Sequence, residues 1–312
     1  MTKILFAALP RRWQEYETPL RAALTEAGVD GEVVLYEDAH DPAEIDWIVY
    51  APNAALQDFS PYTRLRAVLN LWAGVEGIEG NRTLTAPLAR MVDNGLTQGM
   101  VEWVTGHVLR HHLGMDAHIQ NPDAMWQTGA PPLAPDRPVA ILGMGVLGAA
   151  CARALVQLGF PVHGWARTPK DVPGVACHTG EDGLRRVLGV AEIVVLLLPH
   201  TRRTENLLNA TRLAWMRDGA VLLNPGRGAL IDDAALLAEL PRLGHATLDT
   251  FRTEPLPKDH PFWHHPKVTV TPHIASETRA ASAARVIVEN IRRGEAGEPL
   301  LHLVDRREAL AP

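Results

Sequence analysis

The sequence predicts an α/β protein made of two parallel-sheet domains, one inserted into the other. Three observations predict it. Short apolar runs alternate with amphipathic helical stretches along the 312 residues. One run, Val139–Leu142, is followed by Gly143, Gly145 and Gly148, the G-x-G-x-x-G spacing that joins a buried strand to a helix in a dinucleotide-binding domain of the Rossmann type. The last amphipathic stretch, residues 277–293, lies beyond the last apolar run and is placed to return to the first domain and close it.

Taken in order, residues 4–9 read as a strand and 16–27 as a helix with Leu20, Ala23 and Leu24 on one face, stopped at Gly28. Residues 33–36, 46–50 and 65–72 read as further strands, and 84–91 as a fifth that Pro87 weakens. At 95–112 the pattern changes to a long helix with Met100, Val104, His107, Val108 and His111 at three- and four-residue spacing. Residues 121–138 are rich in proline and polar side chains and read as an excursion over the surface. After the glycine triplet, 146–158 reads as a helix with Leu147, Cys151, Leu155 and Leu158 at helical spacing, and 161–165 as a strand. Later strands fall at 191–198, 220–223, 246–249 and 268–270, with helices at 211–216 and 233–240. The expected division is a smaller α/β domain from residues 1–96 and 276–312, and a dinucleotide-binding domain from 97–275.

Hydrophobic content of 46% against 21% charged fits a soluble globular chain. A net charge of −6 without a basic run argues against nucleic acid, and no apolar run is long enough to cross a bilayer. The amino terminus reads as a first strand, not a signal peptide. Two cysteines, Cys151 and Cys177, make no disulfide framework, so a reducing, cytoplasmic location is expected. His107 and His111 stand four apart on a helix, yet no third ligand accompanies them, and no metal site is expected.

The glycine triplet has a physical reading. Gly143 suits a tight turn, Gly145 lets the backbone approach a pyrophosphate, and Gly148 lets the helix pack on the strand. The helix starting at Val146 and Leu147 points unpaired N–H groups at the anion. An NAD-specific domain needs a carboxylate about 20 residues beyond the first glycine, to hold the ribose hydroxyls. Here the strand end reads Trp165-Ala166-Arg167-Thr168-Pro169-Lys170. Arg167 and Lys170 suit a 2′-phosphate, with Thr168 as a hydrogen-bond donor, so NADPH/NADP is expected in preference to NADH/NAD.

Three segments in the second half each carry a reactive side chain after a strand-like run: Arg227 in NPGRG, Glu254 in DTFRTEPLP, and His273 in TPHIA. Ligands of open α/β sheets sit beyond the carboxyl ends of the strands, which gathers these three side chains at one site. A planar guanidinium can hold the carboxylate and carbonyl of a 2-oxo acid. An imidazole can deliver a proton near neutral pH, and a neighbouring carboxylate raises its pKa and orients the ring.

These motifs, in this order and spacing, resemble the D-isomer-specific 2-hydroxyacid dehydrogenase family over nearly the whole chain. Within it, the WART segment, the LWAGVEGI loop at 71–78 and VDRR at 304–307 are most similar to the glyoxylate/hydroxypyruvate reductase A subgroup. The resemblance implies a Rossmann-type domain inserted into a smaller flavodoxin-like domain, with cofactor and substrate in a cleft between them, a hinge in the long helix, and a homodimer. It implies Arg227, Glu254 and His273 as the catalytic set. It places Trp72, Ala73 and Gly74 on the substrate carboxylate through backbone N–H groups, and Pro199, Thr204, Pro225, Gly226 and Asp249 along the cofactor. Tyr50, at a strand end, is expected to shape the substrate pocket, whereas Trp47 suits core packing equally well. Pro225 departs from the small non-proline residue more usual after the Asn, and Ser276 and Glu76 are lesser departures. Formate-type members pair the His with Gln, so Glu254 argues against them. The expected reaction is NADPH-dependent reduction of a small 2-oxo acid, glyoxylate or hydroxypyruvate. The alternatives are a dehydrogenase for a larger 2-oxo acid and a non-catalytic NADP(H)-sensing protein.

Overall fold

Every ladder between the named strands runs parallel in the computed structural model, which describes all residues except 39, 53, 54, 122, 127, 308, 311 and 312. The chain forms two compact units, Met1–Leu96 with Glu277–Pro312, and Thr97–Ser276.

The first unit carries β1 (Thr2–Ala7), α1 (Pro10–Glu26), β2 (Gly31–Leu35), β3 (Trp47–Tyr50), β4 (Ala67–Asn70) and β5 (Leu88–Ala89). The sheet order is β2-β1-β3-β4-β5, the flavodoxin-like winding. Packing against both sides of the sheet buries β3 on both faces, which is why WIVY reads without alternation. Trp47 and Val49 join the core on one face, with Leu20 and Leu24 of α1; Ile48 and Tyr50 join the core on the other, with Leu56 and Phe59. Trp47 is a core residue, its Nε1 donating to Glu295 at 3.0 Å. The carboxyl-terminal helix packs on this unit through Ala284, Ile287, Val288 and Ile291.

The second unit begins within α2 (Asn94–His112) and continues through α3 (Met115–Ile119), β6 (Val139–Leu142), α4 (Val146–Gln157), β7 (Val162–Trp165), β8 (Val175–His178), α5 (Gly180–Val190), β9 (Ile193–Leu196), α6 (Ala210–Leu213), β10 (Val221–Asn224), α7 (Asp233–Glu239), β11 (His245–Leu248) and β12 (Val268–Val270). The chain then passes into α8 (Ala280–Glu295) of the first unit. The order β12-β11-β10-β9-β6-β7-β8 is the Rossmann winding with one further strand at its edge. It reverses direction between β6 and β9, the switch point beyond which a ligand is bound in such sheets. Ala140 and Leu142 face one core, with Leu184, Val187 and Leu188 of α5; Val139 and Ile141 face the other, with Met100, Val104 and Val108 of α2 and Cys151 of α4. Burial pushes the Cys151 thiol pKa up to about 12, so it is an inert core group.

Several elements differ from the sequence reading. The first helix starts at Pro10, six residues earlier than its apolar face suggests, because proline at the first helical position costs no hydrogen bond. The expected fifth strand shrinks to Leu88–Ala89, and the helix at 211–216 to Ala210–Leu213. β8 and α5 have no counterpart in the sequence reading: three glycines dilute the helical pattern of α5, yet Leu184, Val187 and Leu188 bury one face. α3 precedes the surface excursion, of which residues 122 and 127 lie outside the described set. His111 is explained by a neighbour distant in sequence. Its Nε2 lies 3.0 Å from the Thr247 hydroxyl, and its ring lies 5.0 Å from that of His245. Burial, with the His245 and Arg110 charges, pushes the His111 pKa down to about 3, and the ring stays neutral.

Candidate active site

The loop after β6 is shaped by contacts a side chain would destroy. Gly143 has φ +111°, and a Cβ on it would fall 2.5 Å from the Leu197 carbonyl, at the switch point with β9. A Cβ on Gly148 would fall 1.8 Å from the Gly143 oxygen, so helix and loop are in backbone contact. In front of Gly145 the space is open, with no atom within 4 Å of its missing Cβ. Gly145 is the N-cap of α4 and provides no capping side chain. Among the described residues the N–H groups of Val146, Leu147 and Gly148 therefore meet no protein acceptor. Open space in front of uncapped N–H groups at the positive end of a helix fits a dinucleotide pyrophosphate.

Beyond β7, Ala166 is buried while Arg167, Thr168 and Lys170 are exposed, and no carboxylate stands at this strand end. Beyond β9, the Thr204 hydroxyl donates to the Pro199 carbonyl at 2.7 Å and fixes that turn. Pro225 and Gly226 are buried; a Cβ on Gly226 would fall 2.8 Å from the Leu196 carbonyl, which presses this turn against the end of β9.

Arg227, Glu254 and His273 come from the loops after β10, β11 and β12, and the structure brings them together. His273 Nδ1 lies 2.7 Å from Glu254 Oε2, while Glu254 Oε1 accepts from the Phe251 N–H at 2.9 Å. The hydrogen bond to Glu254 raises the His273 pKa above its ordinary value, against burial; the Arg227 charge opposes the rise. Burial alone would lift the Glu254 pKa, but the bonds from His273 and Phe251 hold it below the ordinary carboxylate value. Arg227 stands on extended backbone, its Nη1 donating to the Gly226 carbonyl at 2.7 Å.

The supports of this set include groups whose role the sequence reading missed. Asn224, buried at the end of β10, donates from Nδ2 to the Arg227 carbonyl (3.0 Å) and accepts from the Gly226 N–H (3.1 Å). Gly228 meets the Glu254 loop backbone to backbone: a Cβ there would fall 2.0 Å from the Phe251 carbonyl carbon. Asp249, expected along the cofactor, is buried, and its carboxylate accepts from the Thr271 hydroxyl (2.6 Å) and the N–H groups of Ile274 and Ala275 (2.9 Å each). With the His273 N–H donating to the Asp249 carbonyl at 2.8 Å, Asp249 fixes the loop in which His273 takes φ +55°.

In the first unit, Trp72 is exposed and Ala73 and Gly74 half-buried in the loop after β4. Tyr50 corrects the sequence reading. It is 1% exposed, packs edge-on to Phe59 and donates to the Leu56 carbonyl at 3.3 Å, so it is a core residue, not the wall of an open pocket. Packing decides this: Tyr50 lies on the same face of β3 as Ile48, in a core with Leu56 and Phe59.

Residues 106–275 match the family model for the NAD binding domain of D-isomer specific 2-hydroxyacid dehydrogenases. A curated glyoxylate/hydroxypyruvate reductase A from Yersinia enterocolitica is 38% identical over 251 residues, 77% of this chain and 80% of that protein. The chain belongs to the D-isomer specific 2-hydroxyacid dehydrogenase family. Two family structures cover nearly all of it. A member from Xanthobacter autotrophicus Py2, in complex with NADPH and MES, is 38% identical with a TM-score of 0.91, over 99% of each chain. An NADPH-dependent glyoxylate/hydroxypyruvate reductase from Sinorhizobium meliloti, in complex with NADP and sulfate, is 33% identical with a TM-score of 0.88, over 99% of this chain and 100% of that one.

Proposed function

We propose that this dehydrogenase uses NADPH to reduce small 2-oxo acids, glyoxylate to glycolate and hydroxypyruvate to D-glycerate. The observation that carries the reading is the His273–Glu254 pair at 2.7 Å, with Arg227 beside it, in the same unit as the glycine loop. The reduced nicotinamide supplies a hydride to the carbonyl carbon. Because Glu254 holds Nδ1, the transferable proton of His273 sits on Nε2 and passes to the carbonyl oxygen. Arg227 holds the carboxylate and carbonyl with its fork, and the Trp72–Ala73–Gly74 loop offers backbone N–H groups to the same carboxylate. Val146, Leu147 and the three glycines take the pyrophosphate; Pro199, Thr204, Pro225 and Gly226 border the cofactor.

The preference for NADPH rests on Arg167, Thr168 and Lys170, exposed where a carboxylate would select the ribose hydroxyls. NADPH consumption with glyoxylate, hydroxypyruvate, pyruvate and bulkier 2-oxo acids, repeated with NADH, tests both points. Fast turnover of the small acids with NADPH is expected. Arg167→Ser should raise KM for NADPH by about tenfold or more and leave that for NADH nearly unchanged, as loss of one charged phosphate contact would. Preference for a bulky acid would overturn the substrate. Tight NADPH binding with no turnover would favour a sensor.

The same reading includes a homodimer. Ile119, Met125, Trp126 and Leu133, close in sequence, are 75, 61, 92 and 73% exposed, and large apolar side chains left in water are what a second copy could cover. Sedimentation velocity should give twice the 34.1 kDa chain mass, and a monomer would reject this part of the proposal.

A further inference from the structure

Asn70 ends β4, and its side chain is 1% exposed. Its Nδ2 donates to two carbonyls of the following loop, Trp72 at 2.8 Å and Gly74 at 2.9 Å. Two acceptors fix which way the amide faces: the NH₂ group points to the loop, and Oδ1 points away, where no donor reaches it among the described residues. The Met91 N–H also donates to the Trp72 carbonyl, at 3.0 Å. The carbonyls of residues 72 and 74 are thus turned back toward the sheet. The N–H groups of Ala73, Gly74 and Val75 meet no acceptor among the described residues. Successive N–H groups left open in this way form a concavity that suits an anion.

We propose that Asn70 is a positioning residue for the substrate carboxylate. It touches neither substrate nor cofactor. By gathering two carbonyls behind the loop, it keeps their negative ends off the anion and leaves the N–H groups of residues 73–75 facing it. An apolar side chain at the end of β4 would fill the same space and avoid a buried, unsatisfied Oδ1, but it would release the carbonyls. The inference rests on the reading that the loop at 72–74 binds a carboxylate, and it concerns binding of that group, not hydride transfer.

Asn70→Ala and Asn70→Ser in the full chain test it, with kcat and KM for glyoxylate, the Kd of NADPH, the thermal midpoint, and the Kd of oxalate for the NADP-loaded protein. The expected result for Asn70→Ala is a KM for glyoxylate and a Kd for oxalate both raised by about tenfold, with kcat and the NADPH Kd little changed. Asn70→Ser keeps one donor and should fall between wild type and Asn70→Ala; if Asn70→Ala does not fold, it carries the comparison alone. Unchanged KM and oxalate affinity in a folded variant would overturn the inference, as would a loss of NADPH affinity in parallel with KM. Should the wild type bind oxalate yet reduce no 2-oxo acid, the proposed reaction fails while the oxalate comparison still decides the role of Asn70. Wild-type protein that binds no oxalate overturns both.

Discussion

His273→Gln is expected to lower turnover by about 10²–10⁴-fold, the usual worth of a positioned general acid, while leaving NADPH affinity as it is. The imidazole is held at Nδ1, and its residue is held at the backbone. Nδ1 faces Glu254 at 2.7 Å, and the backbone N–H is tied to the carbonyls of Asp249 (2.8 Å) and Thr271 (3.0 Å). Gln fills similar space, but its amide N–H is far too weakly acidic to give up a proton. The pH profile separates the roles of the pair. Reduction requires the protonated imidazole, so kcat/KM with NADPH should fall as pH rises through the His273 pKa. The hydrogen bond to Glu254 raises that pKa, so Glu254→Gln should move the descending limb to lower pH. A descending limb that stays in place in Glu254→Gln, or full activity in His273→Gln, would remove His273 as proton donor.

The parts of this molecule legible in the sequence are those whose physics is local. Strand β6 and the glycines share one short stretch, and Gly148 answers a contact within it, against the Gly143 oxygen. Arg227, Glu254 and His273 were legible because each follows a strand, and parallel sheets gather strand ends. What was not legible depends on partners far along the chain. His111 looks like half of a metal pair until Thr247 and His245 are set beside it. Tyr50 at a strand end is equally suited to a pocket or a core, and only packing with Phe59 and Leu56 places it in the core. Asn70 lies in no motif, and Asn224 opens NPGRG without its role being evident; each is an ordinary polar residue until the loop it holds has been built. Asp249 sits in the quoted motif, but the motif does not show that its carboxylate accepts from Thr271, Ile274 and Ala275 and so holds the His273 loop.

Arg227→Ala should give the other large effect, a fall in kcat/KM of about 10²–10³-fold, as loss of a buried charged contact worth about 3–4 kcal/mol would. Arg227→Lys should recover part of it, because an ammonium keeps the charge but not the planar fork. The loss should not arise from a collapsed loop. The Arg227 backbone is held independently, its carbonyl by Asn224 Nδ2 at 3.0 Å and the adjoining Gly228 by backbone contact with Phe251. The substitution should also move the pH profile in the direction opposite to Glu254→Gln. The Arg227 charge lowers the His273 pKa, so removing it lets that pKa rise, and the residual activity should persist to higher pH. Opposite displacements of one limb by two substitutions require Arg227 and Glu254 to act on the same imidazole. If the limb moved the same way in both variants, the titrating group would be some residue other than His273. If it moved in neither, the pH dependence would belong to a step before chemistry, and the assignment of these three side chains to one proton transfer would fail.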